Sequence, residues 1–209
     1  MSDAINEIAK ATVKHQIIKG REIVEDDWFV LRAPEAADGG IAPEADAIAA
    51  LHVPAGKVIV PVAVWNAQRD TLLPRAAAGE IGVWIASDER PEVLKDDLQR
   101  FAVVAVDFPK FTDGRGYSIA YNLRTRLGWT GELRAIGDVL RDQLFQMHRV
   151  GFDAYATRPD RSIHDALKGL SDFSETYQAS VDQKVPLFRR AARIASPASH
   201  SDGDVGYGI

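Results

Sequence analysis

Eight arginines and no lysine lie between Lys110 and Lys168, in a chain that elsewhere uses both cations. They alternate with glycine turns. Asp107-Phe-Pro-Lys-Phe-Thr-Asp-Gly-Arg-Gly-Tyr-Ser118 is followed by Gly131-Glu-Leu-Arg-Ala-Ile-Gly-Asp138. A planar guanidinium forks onto carboxylate, phosphate or sulfur oxyanions in a way that an ammonium cannot. The chemistry expected of this segment is therefore the binding of a small anionic ligand.

The turn holding Lys110, Asp113, Gly114, Arg115, Gly116, Tyr117 and Ser118 opens a helix. Free amides at a helix start hold anions, and two glycines let the backbone come close. Arg115 would fork onto the same group. The run lacks the Gly-Lys-Ser/Thr ending of a phosphate loop and the Gly-x-Gly-x-x-Gly of a dinucleotide fingerprint. The alternative is a loop in which Asp113 caps the helix and Arg115 is solvated. Arg134 lies inside a strand-like run, and a buried arginine needs a partner. Asp107 and Asp138 are the expected ones, in an ion pair that either fixes strand order or aims Arg134 at a ligand. Asp107 and Asp138 are also the candidate general bases. Asp138 shares a helix face with Asp142, although an N-cap accounts for it as well. Arg141 sits one turn into that helix, and Arg158 and Arg161 follow the next strand. The five histidines lack metal-ligand spacing, so no metal site is expected. Phe108 and Phe111 are read as core or as pocket wall.

These residues need a frame. Gln16 to Arg32 reads as a β-hairpin turning at Lys19-Gly20, with a further apolar group at Trp28–Leu31. Pro34 to Pro43 is loop. Val58 to Trp65 reads as a strand, demoted towards an edge or sheet end by Pro61. Strands are expected near 81–86, 101–107, 131–136 and 152–157. Helices are expected over Arg90–Arg100, Tyr117–Leu127 and Asp138–Val150, with another through Ala166. Strand–helix units in series predict an α/β fold with a mainly parallel sheet, either incomplete-barrel-like or open and doubly wound, and an N-terminal hairpin extension. Its ligands would bind where strands end and helices begin. The predicted organisation is an extension over 1–57, an α/β domain over 58–195 and a disordered tail over 196–209.

The totals narrow the function. The 209 residues are 46% hydrophobic and 26% charged, ordinary for a globular chain. A formal net charge of -5 argues against nucleic acid as a partner. The absence of cysteine excludes disulfides, thiol nucleophiles and thiolate-held clusters. No apolar run approaches the roughly 20 residues of a membrane helix, and the start carries no secretory pattern. The cytoplasm is the expected location.

The same motifs carry a resemblance. Asp107 to Ala120, Gly131 to Gln143 and Gly151-Phe-Asp-Ala-Tyr155 are similar to a bacterial family, domain of unknown function 934. The likeness runs over roughly residues 58–178. Members often carry the label of oxidoreductases of sulfite reduction, owed to their placement beside sulfate-assimilation enzymes. The family pattern often has a cysteine where this chain has Val150. The resemblance implies an accessory or oxidoreductase component of sulfite or sulfate reduction, and it names no cofactor and no catalytic residue. Two other readings stand beside it. One is a non-catalytic partner that docks on sulfate-assimilation enzymes. The other is a barrel-type enzyme acting on a small phosphorylated or carboxylated substrate, with Asp107 or Asp138 as base. The oligomeric state stays open, a homo-oligomer among the options.

Overall fold

Short β-branched runs bounded by glycine or charge form eight strands: β1 (Gln16–Lys19), β2 (Glu22–Glu25), β3 (Phe29–Val30), β4 (Val58–Pro61), β5 (Ile81–Ile85), β6 (Val103–Phe108), β7 (Glu132–Gly137) and β8 (Ala154–Tyr155). The computed structural model describes residues 15–32 and 45–190; the loop read at 34–43 and the tail from Ser196 lie outside them. All eight strands join one sheet in the order β2-β1-β8-β7-β6-β5-β4-β3. From β3 to β8 neighbours are parallel, whereas β1 is antiparallel to both β2 and β8. The sheet is thus mixed, with five parallel pairings from β8 to the β3 edge and two antiparallel ones at the other end.

The helices are α1 (Ala45–Ala49), α2 (Val62–Ala77), α3 (Arg115–Thr125), α4 (Arg141–Val150), α5 (Ile163–Lys168) and α6 (Leu187–Arg190). Each parallel strand pairs with the next in sequence. Every crossover therefore moves the same way, and a common right hand puts the helices on one face. That face carries the larger core, with Val58, Val60, Ile81, Val83, Val104, Val106, Leu133 and Tyr155 fully buried against Trp65, Leu123, Leu144 and Met147. Each such aliphatic contributes about 1.5–3 kcal/mol.

The opposite face is concave. Its two edges, β2 and β3, are joined only by Asp26 to Trp28. Four Cα steps reach at most about 14 Å, while a flat sheet of eight strands would be about 34 Å wide. The sheet must roll into a half-barrel. Ile59, Val103, Ala105 and Ile136 fill the inside with Trp28, Val30, Trp84 and Ala156. The residues before 58 thereby form both edges of the sheet, because the chain leaves the hairpin and crosses directly to the far side.

Three local expectations are corrected. Pro61 closes β4 at φ -60°, ψ 150° and Val62 begins α2, so the apolar run 58–65 is half strand and half helix. β4 lies between β3 and β5 and is no edge; proline is tolerated there because it is the last strand residue. Residues 91–100 are two 3₁₀ turns, Pro91–Leu94 and Leu98–Arg100, rather than an α-helix. Pro91, Leu94 and Leu98 are its buried residues, too few for a stable longer helix. Asp138 is not the cap of α4: Leu140 is, with its N–H donating to Gln143 Oε1 at 2.8 Å.

Asp97 locks the second of those turns to α2. It accepts from Arg69 at 2.8 Å, Trp65 Nε1 at 2.9 Å and Arg100 Nε at 2.8 Å. The Arg69 hydrogen bonds first, then those from Trp65 and Arg100, hold its carboxyl far below the usual carboxylate range. A depressed folded pKa gives stability that is present above the unfolded value, near pH 4, and is lost as pH falls below it. Asp97→Asn should lower the melting temperature at pH 7 and flatten the fall in melting temperature between about pH 4 and pH 2. An unchanged acid limb in thermal melts would remove Asp97 as its source.

Candidate functional site

Parallel strands deliver their carboxyl ends to one rim of the half-barrel, where the loops before α3, α4 and α5 meet. The first loop follows β6. Asp107 faces the concave side and its Oδ1 accepts from Arg32 at 2.8 Å. The Arg32 guanidinium also lies 5.1 Å over the Trp84 ring, whose indole N–H donates to Leu31 O. Phe108 points the other way into the core, edge-on to Tyr117 at 5.5 Å, and is core rather than pocket wall. Phe111, Lys110 and Ser118 are exposed. Burial, joined by the charge of Asp142, pushes the Tyr117 hydroxyl up.

At the glycine turn the chain supplies its own anion. Asp113 accepts from the Arg115 amide at 3.1 Å, from Arg115 Nε at 3.0 Å and Nη2 at 2.7 Å, and from Ser87 Oγ at 2.6 Å. Those bonds, Arg115 first, hold the Asp113 carboxyl well below the ordinary range. The helix starts at Arg115, two residues earlier than its apolar spacing suggested. Gly114 is its cap, and Gly116 lets Phe108 close on the turn: a Cβ there would lie 2.6 Å from the ring.

Arg134 does not pair with Asp107 or Asp138. It is 1% exposed, donates to both oxygens of Asp26 at 2.9 Å and to Glu132 at 2.8 Å, and sits in the concave interior. Arg134 and Arg115 hold different carboxylates in different places and share no cavity among those seen. No local pattern couples the two, because Asp26 lies in the Asp26–Trp28 crossing, 108 residues from Arg134.

The second and third loops meet each other. Asp138 takes Arg158 at 3.0 Å and the Phe111 amide at 2.8 Å. Arg158 forks onto Asp160 at 2.8 Å, and Arg141 spans Asp165 and Asp172 at 3.1 Å. Arg124, a further member of the arginine run, works at the other end of the strands. It donates to Gly151 O, Trp129 O and Gly131 O at 2.8 Å and pairs with Asp153. Most of these guanidinium groups therefore hold the protein's own acceptors. Arg161 differs: its nearest carboxylate, Asp160, is 3.7 Å away and its guanidinium makes no hydrogen bond to a described residue.

Arg161 lies between two hollows. One, about 180 Å³, is lined by His15, Gln16, Thr157, Arg158 and Arg161 with no carboxylate among its described lining. The other, about 550 Å³, opens between the loops before α4 and α5 over Val139, Leu140 and Ala166, with Asp142 and Asp165 at its side. The register that sets Ile18 opposite Tyr155 brings His15 to this rim. Sequence reading gave no site role to Arg32, Trp84 or His15, all from the first 84 residues. Arg32 did have a signal, a cation at the end of the apolar run Trp28–Leu31, as Asp107 ends another.

Among the described residues no set of three or more His, Asp or Glu side chains converges as metal ligands. No described helix is long and apolar enough to cross a membrane. No curated protein matches the chain. Residues 82–188, which run from β5 through the loops before α3, α4 and α5 into α6, match the family described as a bacterial protein of unknown function (DUF934), and the chain belongs to that family.

Proposed function

We propose that this protein binds a small oxyanion at the carboxyl ends of β7 and β8, and that it serves sulfite or sulfate reduction as an accessory or oxidoreductase component. The observation that carries the binding site is the hollow of about 180 Å³ under His15, Thr157, Arg158 and Arg161, with no carboxylate among its described lining. Arg158 is already fixed by Asp138 and Asp160, so it is pre-aimed; Arg161 keeps its donors for a ligand. A fixed guanidinium plus a free one suits a tetrahedral or pyramidal oxyanion. The sulfur context rests on the family resemblance.

Calorimetric titration with sulfite, sulfate and phosphate at one ionic strength tests it. The parent chain should bind at least one of them, and Arg161→Ala should weaken that binding about tenfold or more, the loss of one charge-assisted contact. Arg115→Lys should leave it unchanged, because Arg115 serves Asp113. Silence towards all three anions, or Arg161→Ala binding as tightly as the parent, removes this reading. One observation favours docking on a larger enzyme: Phe173, Tyr177 and Phe188 are 61–67% exposed on the segment after α5. Exposed aromatics of that kind mark contact surfaces.

A further inference from the structure

We infer that the oxyanion held there is the phosphate of a hydroxyl-rich organic phosphate, a sugar phosphate or the sugar-phosphate end of a nucleotide, with the free inorganic oxyanion as the weaker ligand of the same site. This rests on the anion site just proposed and specifies its substrate class. The two hollows share Thr157 and Arg161, so a group held in the smaller one has the larger one beside it. The smaller hollow suits the phosphate: its charged lining is cationic. The larger, about 550 Å³, has room for a body several times the size of an oxyanion.

The lining of that second hollow selects the body. Val139 and Ala166 are buried and Leu140 half-buried, an apolar floor for the face of a sugar ring. Carboxylates outnumber guanidinium groups around it: Asp142, Asp160 and Asp165 against Arg141 and Arg161. A second anionic group is therefore disfavoured there. Asp165 and Asp160 are engaged by Arg141 and Arg158, but Asp142 makes no hydrogen bond or ion pair with a described residue. An ionised carboxylate is an acceptor only, so its natural partner is a ligand hydroxyl. Ser162 Oγ accepts from the Asp165 amide and still has a proton to give. Phosphate at Arg161 and hydroxyls at Asp142 make a two-part site, one anchor and one discriminator.

The test is calorimetry on the full chain with orthophosphate, ribose 5-phosphate, ribose and ribose 1,5-bisphosphate. Ribose 5-phosphate should bind at least tenfold more tightly than orthophosphate, ribose should not bind measurably, and the bisphosphate should gain nothing over the monophosphate. Asp142→Ala should remove the tenfold preference and leave orthophosphate binding in place. Because Asp142 is an exposed helix residue, the fold should survive, which a thermal melt verifies. Leu140→Trp, which fills the larger hollow alone, should act the same way. Equal binding of orthophosphate and ribose 5-phosphate overturns the two-part site but leaves the oxyanion site standing. Binding of neither overturns both. A preference that survives Asp142→Ala and Leu140→Trp overturns the assignment of the second hollow.

Discussion

Asp26→Ala should destabilise the protein by about 3–5 kcal/mol, the cost of leaving a buried guanidinium with Glu132 as its one remaining carboxylate and its two bonds to Asp26 unmade. Arg134 is 1% exposed and the Asp26 and Glu132 side chains 7% and 9%, so water cannot replace the lost oxygens. In a chain of this length each kcal/mol shifts the melting temperature about 2–4 °C, so a fall of roughly 6–20 °C is expected. Replacing the whole cluster, with Asp26→Leu, Glu132→Leu and Arg134→Met together, should cost much less than the single change. Buried ion clusters are often matched by apolar groups of similar volume, and Lys19, which also meets Glu132, is 58% exposed and can return to water. Urea unfolding of the two variants measures both. A cost under about 1 kcal/mol for Asp26→Ala would mean that the Asp26–Trp28 crossing does not seal the half-barrel interior.

Gly137→Ala should cost roughly 2–5 kcal/mol, the combined effect of left-handed backbone and overpacking. Gly137 ends β7 at φ 93°, and a Cβ there would lie 2.4 Å from Phe108 O and 2.7 Å from Asp107 Oδ1. The first of these is backbone in the middle of the sheet and cannot move aside. The second is the oxygen that Arg32 holds, so the same substitution should pull apart the Asp107–Arg32 pair at the barrel mouth. Gly128→Ala is the matched control. It has φ 68° but nothing within 4 Å of its added Cβ, so only the backbone cost of about 1–2 kcal/mol applies. Equal losses for the two in urea unfolding would show that close approach at Gly137 contributes nothing.

What the chain alone determined is what short-range pattern can report. Apolar runs near 81–86, 101–107 and 131–136, four-residue spacing in 117–127 and the glycine stop after 138–150 reflect local pattern, and the strands, their parallel order and the two helices follow from them to within a few residues at their ends. The hairpin at Gly20 was equally local: two β-branched pairs about a residue at φ 60°. Its arginines, too, were visible as a class apart from lysine. Only the tertiary structure decided which of them are free. Arg134 finds Asp26 across 108 residues, and no spacing rule encodes that distance. Arg115 was legible as a fork but not as one already closed on Asp113 and Ser87. The closure of the sheet was undecided for the same reason. A parallel series is compatible with a flat or a rolled sheet, and the choice was made by three residues, Asp26 to Trp28, that must join opposite edges. Pairing β1 against β8 sets His15 beside Thr157, Arg158 and Arg161, and the cationic hollow exists only because these two strands, more than 130 residues apart in sequence, lie side by side.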